Sequence, residues 1–223
     1  MLKNKTLPSL LSCLCLLTVA QVRANHVDFM TDGTFSQVGP GSVDGTGTAA
    51  NILGMIRHVT LTGGSASLAA GGPLNFIAGA AGTMLTLGYG TPFSGGAFTA
   101  NFVNPGTNNW NSIVVSLTSF SAGATGVLNL RVDSGGTQFS FAPQTVTGPG
   151  NYVFFYSQNV GGTINFQAIN GVQASLTSNT AGASYSLAGV TRVNSIPEPS
   201  SVVLAILGGL GALVVLRRRT LSA

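Results

Sequence analysis

The chain has 223 residues, a formal net charge of +4 and only 6% charged residues, against about 25% in an average soluble domain. Six of its nine cations lie within the first 23 or the last seven residues, so residues 25–193 keep three arginines against four aspartates. This net charge of −1 excludes a basic nucleic-acid-binding surface, and the high content of Phe, Val, Ile and Leu argues against disorder. Both cysteines lie before residue 16, so the middle of the chain has no disulfide and depends on its core.

The first 24 residues have the pattern of a secretory signal peptide. Lys3 and Lys5 precede an apolar stretch at 10–20, and Ala24 ends a short segment suited to cleavage by signal peptidase. We therefore predict a leader at 1–24, cut after Ala24. One alternative is a lipoprotein cleavage box ending at Cys13, although the apolar stretch before it is short.

The opposite end carries an uncharged segment at 200–216, followed by Arg217, Arg218 and Arg219. As a helix this segment would reach about 26 Å, which is at the short end of what spans a hydrocarbon core about 30 Å thick. Three arginines resist translocation and favour the cytoplasmic side of the inner membrane. The pattern predicts a transmembrane helix with a cytoplasmic C-terminus and an exported body.

The residues before this helix are Pro197, Glu198 and Pro199. Triplet, helix and basic cluster together resemble the PEP-CTERM sorting signal of Gram-negative bacteria, over residues 194–221. The resemblance implies that exosortase cuts the chain near the triplet and that the mature protein reaches the cell surface or the extracellular matrix of a biofilm. The alternative is a plain C-terminal membrane anchor.

Between these two signals, residues 25–193 show the alternation of half-buried strands and no helical period. In the segment GVLNLRV, Leu128, Leu130 and Val132 share one face, opposite Asn129 and Arg131. The segment SIVVSLTSF is apolar on both faces and reads as a central strand. About ten short strands separated by Gly- and Pro-rich turns predict one all-β domain, an antiparallel β-sandwich of jelly-roll type.

A second resemblance concerns the segment ILGMIRHVTLT at 52–62, which looks like a stretch found early in many PEP-CTERM ectodomains. Those ectodomains resemble galactose-binding jelly rolls, which implies carbohydrate binding. Met55 stands where the family often has a second glycine, and His58 where it often has an aspartate. The departure at His58 leaves an ion-pair or metal role at this turn open.

Aromatic residues with polar neighbours are the candidate ligand-binding residues. Trp110 stands between Asn109 and Asn111, and a ring flanked by amides can both stack on a sugar and bond its hydroxyls. Tyr89, with Phe93, is a second aromatic position expected to be exposed. The alternative for Trp110 is that it packs into the edge of the sandwich.

Metal binding and catalysis have few candidates. Asp28, Asp32 and Asp44 could hold a structural calcium ion together with loop carbonyls, or could be solvated turn residues. Residues 25–193 contain no glutamate, no evident carboxylate pair and no nucleophile elbow. We therefore predict no catalytic residues and no enzyme activity, and expect His58 to face solvent.

The sequence as a whole predicts an exported, non-catalytic protein of the cell surface or extracellular matrix that binds exopolysaccharide. The expected partners are signal peptidase, exosortase, the inner membrane before processing, and polysaccharide, but not nucleic acid. One alternative is a structural or adhesion protein of the matrix that self-associates through edge strands. An extracellular hydrolase is the least favoured alternative.

Overall fold

The structure, a computed structural model, describes residues 25–103 and 110–193. The predicted leader, the sorting triplet, the apolar helix with its arginines, and Asn109 lie outside these residues. No helix within the described ranges is long and apolar enough to span a membrane. The described residues form strands and two short 3-10 turns.

The strands and turns follow one another along the chain with these bounds: β1 Asn25–Asp28, β2 Phe35–Val38, β3 Gly41–Thr46, β4 Ile56–Leu61, β5 Ser65–Leu68, β6 Leu74–Ile77, β7 Met84–Tyr89, the turn η1 Thr91–Phe93, β8 Ser112–Phe120, β9 Gly126–Ser134, β10 Thr137–Phe141, β11 Gln144–Val146, β12 Gly150–Phe155, the turn η2 Tyr156–Gln158, β13 Asn159–Val160, β14 Ile169–Ser178 and β15 Ser184–Val193.

Two antiparallel sheets make up the domain. The seven-stranded sheet has the order β12-β8-β15-β6-β5-β2, with β1 also paired to β15, and the eight-stranded sheet has the order β13-β10-β9-β14-β7-β4-β3, with β11 paired to β9. Strands β6 to β9 alternate between the sheets, and the last two strands return to their middles, β14 between β7 and β9 and β15 between β6 and β8. This winding is that of a jelly roll, so the predicted fold class is confirmed.

The predicted alternation is also confirmed along individual strands. Leu128, Leu130 and Val132 of β9 are fully buried, whereas Arg131 between them is exposed. Val114 and Val115 of β8 are both buried, as expected of a central strand. The inward rows of both sheets pack against each other and form one apolar core.

A buried ion pair joins β1 to the eight-stranded sheet. The Arg57 guanidinium makes two hydrogen bonds to the Asp28 carboxylate, one of them from Nη2 to Oδ1 at 2.6 Å. The Tyr89 hydroxyl donates to Asp28 Oδ2 at 2.7 Å, and the Met30 amide donates to Oδ1 at 2.8 Å. Both charged groups are fully buried and well bonded, so this cluster fixes the first strand of the domain to its core.

Candidate functional site

The outer face of the eight-stranded sheet carries a cleft of about 650 Å³. Four neighbouring strands, β7, β14, β9 and β10, form its floor, and residues beyond β10 form a wall at one end. Adjacent strands lie about 4.8 Å apart, so the distance from β7 to β13 is about 19 Å. The lining residues are mostly polar on the floor and apolar at the margins: Met84, Thr86, Asn129, Leu130, Arg131, Ser140, Phe141, Pro143, Val160, Gln173 and Ser175.

Strand register arranges the floor in two rows that cross the strands. One row runs through Thr86, Ser175 and Asn129, which are direct cross-strand partners. The next row runs from Gln173 through Arg131 and Ser140 to Val160, again as direct partners. Because side chains alternate along each strand, these residues face outward while their neighbours in sequence fill the core.

The turn η1 packs on the same outer face of the sheet, over Gly88 of β7 and Gly171 of β14. Phe93 lies over this face of the sheet and is 7% exposed. A Cβ at Gly171 would stand 2.8 Å from the Phe93 ring, so glycine is required there for the turn to pack on β14. Phe93 therefore covers the part of this face next to Gln173, while the exposed Val160 lines the cleft beyond β10.

The polar side chains of the floor have no hydrogen-bond partner within the described part of the protein. Thr86, Asn129, Gln173, Ser175 and Ser140 are half-buried, and none of them makes a side-chain hydrogen bond to another described residue. Their donors and acceptors point into the cleft with solvent as their counterpart. They are the groups that a hydroxyl-rich ligand would bond.

The outer face of the seven-stranded sheet also carries polar side chains, but these are bonded to one another. Ser119 donates to the Ser186 hydroxyl at 2.7 Å, and Ser186 donates to Asn75 Oδ1 at 2.7 Å. Ser116 donates to Asn151 Oδ1 at 2.8 Å on the same face. These hydroxyls and amides are engaged with one another across β6, β15, β8 and β12, which leaves them fewer free groups for a ligand.

Arg131 adds a positive charge to the cleft floor. Its side chain is exposed, and no carboxylate of the described residues lies within the 4.0 Å of an ion pair. Asp133, two residues along β9, is 1% exposed, and its carboxylate accepts a hydrogen bond from the Gly136 amide. The guanidinium of Arg131 is thus available to a ligand.

Trp110 lies away from this cleft, where β8 begins. The ring is 7% exposed, and the Arg192 guanidinium stands over it, 4.5 Å from the ring centroid, with Phe102 at 4.6 Å. Burial lowers the pKa of Arg192, and an electrostatic interaction with Tyr156 partly offsets this. Asn111 is half-buried beside Trp110, so this region matches the packed edge of the sandwich that was the alternative for Trp110.

Tyr89 is fully buried in the Asp28–Arg57 cluster. The expectation of an exposed ring at Tyr89 and Phe93 is therefore wrong, because β7 turns the tyrosine into the core and η1 folds the phenylalanine onto the sheet. Burial raises the pKa of Tyr89 well above 10.0, with the Asp28 charge adding to the rise. Tyr89 acts here as a buried hydrogen-bond donor.

The three aspartates named as calcium ligands are not brought together. Asp28 is bonded to Arg57, and Asp44 lies on the outer face, where it contacts His58. Asp32 Oδ2 accepts hydrogen bonds from the Thr48 amide at 2.8 Å and from the Asn51 side chain at 3.3 Å. Within the described ranges no three acidic, histidine or cysteine residues form a group that could hold a metal ion.

His58 faces outward on β4, and its Nδ1 lies 2.6 Å from Asp44 Oδ1. The next position in its cross-strand row is Gly88, which has no side chain. The four aspartates of the described residues have different surroundings, since Asp28 is in the core, Asp32 in a loop, Asp44 on an edge strand and Asp133 on β9 next to Gly171 and the covering Phe93 ring. This arrangement does not place two carboxylates in the cleft, which is what glycoside hydrolysis would need.

Sequence reasoning did not select Asn129, Arg131, Gln173 or Ser175 as site residues. The alternation of β9 placed Asn129 and Arg131 opposite the core, but their meeting with Gln173 and Ser175 depends on the register of β9 with β14. The 34 residues 135–168 separate these strands in sequence, so no local pattern shows that they are neighbours.

No family model matches this chain, and no curated protein matches it. Among solved structures, the chain is similar to CtCBM11, with 11% identity, 80% of this chain and 99% of the other covered, and a TM-score of 0.40. It is also similar to a family 11 carbohydrate-binding module from Clostridium thermocellum in complex with a beta-1,3-1,4-mixed-linked tetrasaccharide, at 10% identity, 74% and 90% coverage and a TM-score of 0.36. A third similar structure is TmCBM61 in complex with beta-1,4-galactotriose, at 13% identity, 61% and 82% coverage and a TM-score of 0.33.

Proposed function

We propose that this protein is an exported, non-catalytic component of the cell surface or extracellular matrix that binds a polysaccharide across the outer face of its eight-stranded sheet. The observation that carries the proposal is the set of free hydroxyl and amide groups on the cleft floor. Sugars present hydroxyl donors and acceptors at regular spacing, and rows of Ser, Thr, Asn and Gln side chains complement them. A cleft about 19 Å across four strand spacings is wider than a single sugar ring, which favours a chain over a monosaccharide.

Binding at this site depends on hydrogen bonds and margin contacts rather than on aromatic stacking. The side chains of Met84, Pro143 and Val160 offer apolar surface at the edges of the cleft. The floor itself has no Trp or Tyr among its lining residues, so the binding free energy should come mainly from hydrogen bonds. Each hydrogen bond typically contributes a net free energy of about 0.5–1.5 kcal/mol. We expect moderate affinity that increases with the length of the glycan.

A matched pair of asparagines tests the proposal. In protein purified after expression of the full chain, Asn129→Ala should weaken binding on a glycan array about tenfold, the equivalent of one hydrogen bond of about 1.4 kcal/mol. Asn75→Ala removes the same side chain from the bonded outer face of the other sheet and should leave binding unchanged. If both variants weakened binding equally, or if neither weakened it, the glycan would bind somewhere other than this cleft.

The route to the cell surface is the second part of the proposal. Its support is the order of signals in the sequence: a leader at 1–24, the triplet at Pro197, Glu198 and Pro199, an apolar segment at 200–216 and the arginines at 217–219. We propose that signal peptidase and exosortase remove the two ends and release the domain at 25–193 outside the inner membrane.

Pulse-labelling tests this route. Wild-type cells should show a precursor that converts to a smaller mature form, and changing all three residues of the triplet to alanine should accumulate membrane-bound precursor. A mature external form that still contains residues 200–216, seen by mass spectrometry, would show that the segment is a permanent anchor.

Self-association is the second candidate function, and one observation favours it. Of the four strands at the ends of the two sheet orders, β2, β12 and β13 carry no charged side chain, whereas β3 carries Asp44. Uncharged edges can pair with another chain. Sedimentation velocity over a concentration series tests this candidate. A fixed monomer at all concentrations would remove it, and growth of oligomers without glycan would support it.

A further inference from the structure

The cleft places the one exposed arginine of the described residues in the middle of its floor. Arg57 is fully buried and Arg192 is 5% exposed, and the described part of the chain contains no lysine. Each of these two arginines is engaged: Arg57 with Asp28, and Arg192 with the Asn101 carbonyl at 3.0 Å and two aromatic rings. Arg131 alone combines exposure with the absence of an acidic partner.

The surroundings of Arg131 suit an anionic group. Gln173 on β14 and Ser140 on β10 are its direct cross-strand partners, and both can donate hydrogen bonds to the same ligand oxygen atoms. The planar guanidinium binds a carboxylate or sulfate through two parallel N–H donors. Asp133, two residues along β9 on the same face, is 1% exposed and accepts a hydrogen bond from the Gly136 amide. The nearest exposed acid on this face is Asp44, four strand spacings away, or about 19 Å, beyond the Debye length of about 8–10 Å.

We propose that the polysaccharide bound in this cleft is acidic, and that Arg131 is the residue that recognises its anionic substituent. This inference rests on the proposed function, since it names the class of glycan for the same site. The neutral groups, Asn129, Gln173 and Ser175, bond the hydroxyls of the sugar rings, and Arg131 with Ser140 and Gln173 takes the charged group. Because the rest of the domain carries little charge, the preference for an acidic glycan should depend on the Arg131 side chain alone.

Paired glycans with the same backbone test the proposal. The probes are polygalacturonate with its carboxyl-reduced neutral form, and dextran sulfate with dextran, so that carboxylate and sulfate are distinguished. Affinity is measured by titration at 50 and 300 mM salt, with protein purified after expression of the full chain. The expected result is at least tenfold tighter binding of one acidic member than of its neutral counterpart, with the preference reduced at high salt.

Three variants assign the effect to Arg131. Arg131→Gln should abolish the acidic preference, so that the acidic member binds no more tightly than its neutral counterpart. Arg131→Lys should retain part of it, because it keeps the charge and loses the two-donor fork. Asp44→Asn changes the net charge by the same amount but in the opposite direction, at about 19 Å on the same face, and should leave the preference unchanged.

The outcomes separate this proposal from the proposed function. Equal binding of acidic and neutral members by the wild type, or an acidic preference that survives in Arg131→Gln, would overturn the role of Arg131 and leave glycan binding standing. Absence of binding to every glycan, on these pairs and on the array, would overturn both. Circular dichroism of Arg131→Gln serves as the folding control, and because the side chain is exposed and unpaired its spectrum should match that of the wild type.

Discussion

The outer faces of both sheets carry serine and asparagine side chains, but the hydrogen bonding of these side chains differs. On the seven-stranded sheet, Ser119, Ser186 and Asn75 bond one another in a continuous line across three strands. On the eight-stranded sheet, the corresponding outward groups, such as Ser175 and Asn129, have no partner among the described residues. The cleft on the eight-stranded sheet therefore has unused hydrogen-bonding capacity, and this is the reason for proposing the binding face there.

The largest expected effect is on stability, and it comes from a pair of arginines, one in the core between the sheets and one in the cleft outside it. Arg57→Gln leaves the Asp28 carboxylate buried without its cation, and should lower the free energy of unfolding by about 3–5 kcal/mol. Arg131→Gln removes the same side chain from the cleft and should change it by no more than about 0.5 kcal/mol. Urea unfolding followed by circular dichroism measures both, and similar losses in the two variants would contradict the assignment of Arg57 to stability and Arg131 to binding.

A pair of serines compares the two faces directly. Ser186→Ala breaks the line between Ser119 and Asn75 and should cost about 1 kcal/mol, whereas Ser175→Ala should cost less than about 0.5 kcal/mol. For glycan affinity the order reverses, since only Ser175 faces the cleft. If Ser175→Ala were the more destabilising of the two, the Ser175 hydroxyl would be bonded within the protein and would not be free for a ligand.

Low pH should reduce the stability of the domain in part by protonating Asp32. Burial raises the pKa of Asp32, but the hydrogen bonds from the Thr48 amide and from the Asn51 and Thr48 side chains outweigh it, so the pKa lies below its ordinary value of 3.8. Because the folded state binds this proton less tightly than the unfolded chain, the carboxylate contributes stability above pH 3.8 that is lost as the pH falls through the lower, folded pKa. Asp32→Asn should reduce the acid dependence of the unfolding free energy, and an unchanged profile between pH 5 and 2 would contradict this role.

The smallest expected effect is a small gain in stability from a substitution at Met55, just before the strand that carries His58. Met55 has a φ of 66° and an exposed side chain, and a left-handed conformation costs a non-glycine residue about 1 kcal/mol. Met55→Gly should raise the melting temperature by a few degrees and leave glycan binding unaltered. A lower melting temperature would show that the methionine side chain contributes packing that outweighs its backbone strain.

The fold was predictable because its information is local. Alternation in the segments around Leu130 and Val59, with turn residues between them, was sufficient to predict an all-β sandwich, and the both-sided burial of Val114 and Val115 was read from a continuous apolar run.

The site was not predictable in the same way, because it is made by register between distant strands. Gln173 meets Arg131 only because β14 returns between β7 and β9. The expectation that Tyr89 is exposed was wrong because a tyrosine in a Gly-rich segment can be a buried hydrogen-bond donor as well as an exposed ring. The acceptor, Asp28, lies 61 residues earlier in the sequence, so the local pattern does not reveal it. The aspartates failed as a calcium site for a similar reason, since Asp28 and Asp44 are each held by a cation or imidazole that the sequence does not place beside them.

The most direct test of the binding face is amide chemical-shift mapping by NMR during titration with the glycan that gives the strongest signal on the array. We expect the largest shifts at residues 129, 131, 173 and 175 and at their neighbours on β10, with small shifts across β6 and β15. Shifts concentrated instead around Trp110 and Asn111, or along the Ser119–Ser186–Asn75 line, would contradict the assignment of the cleft on the eight-stranded sheet as the glycan-binding face.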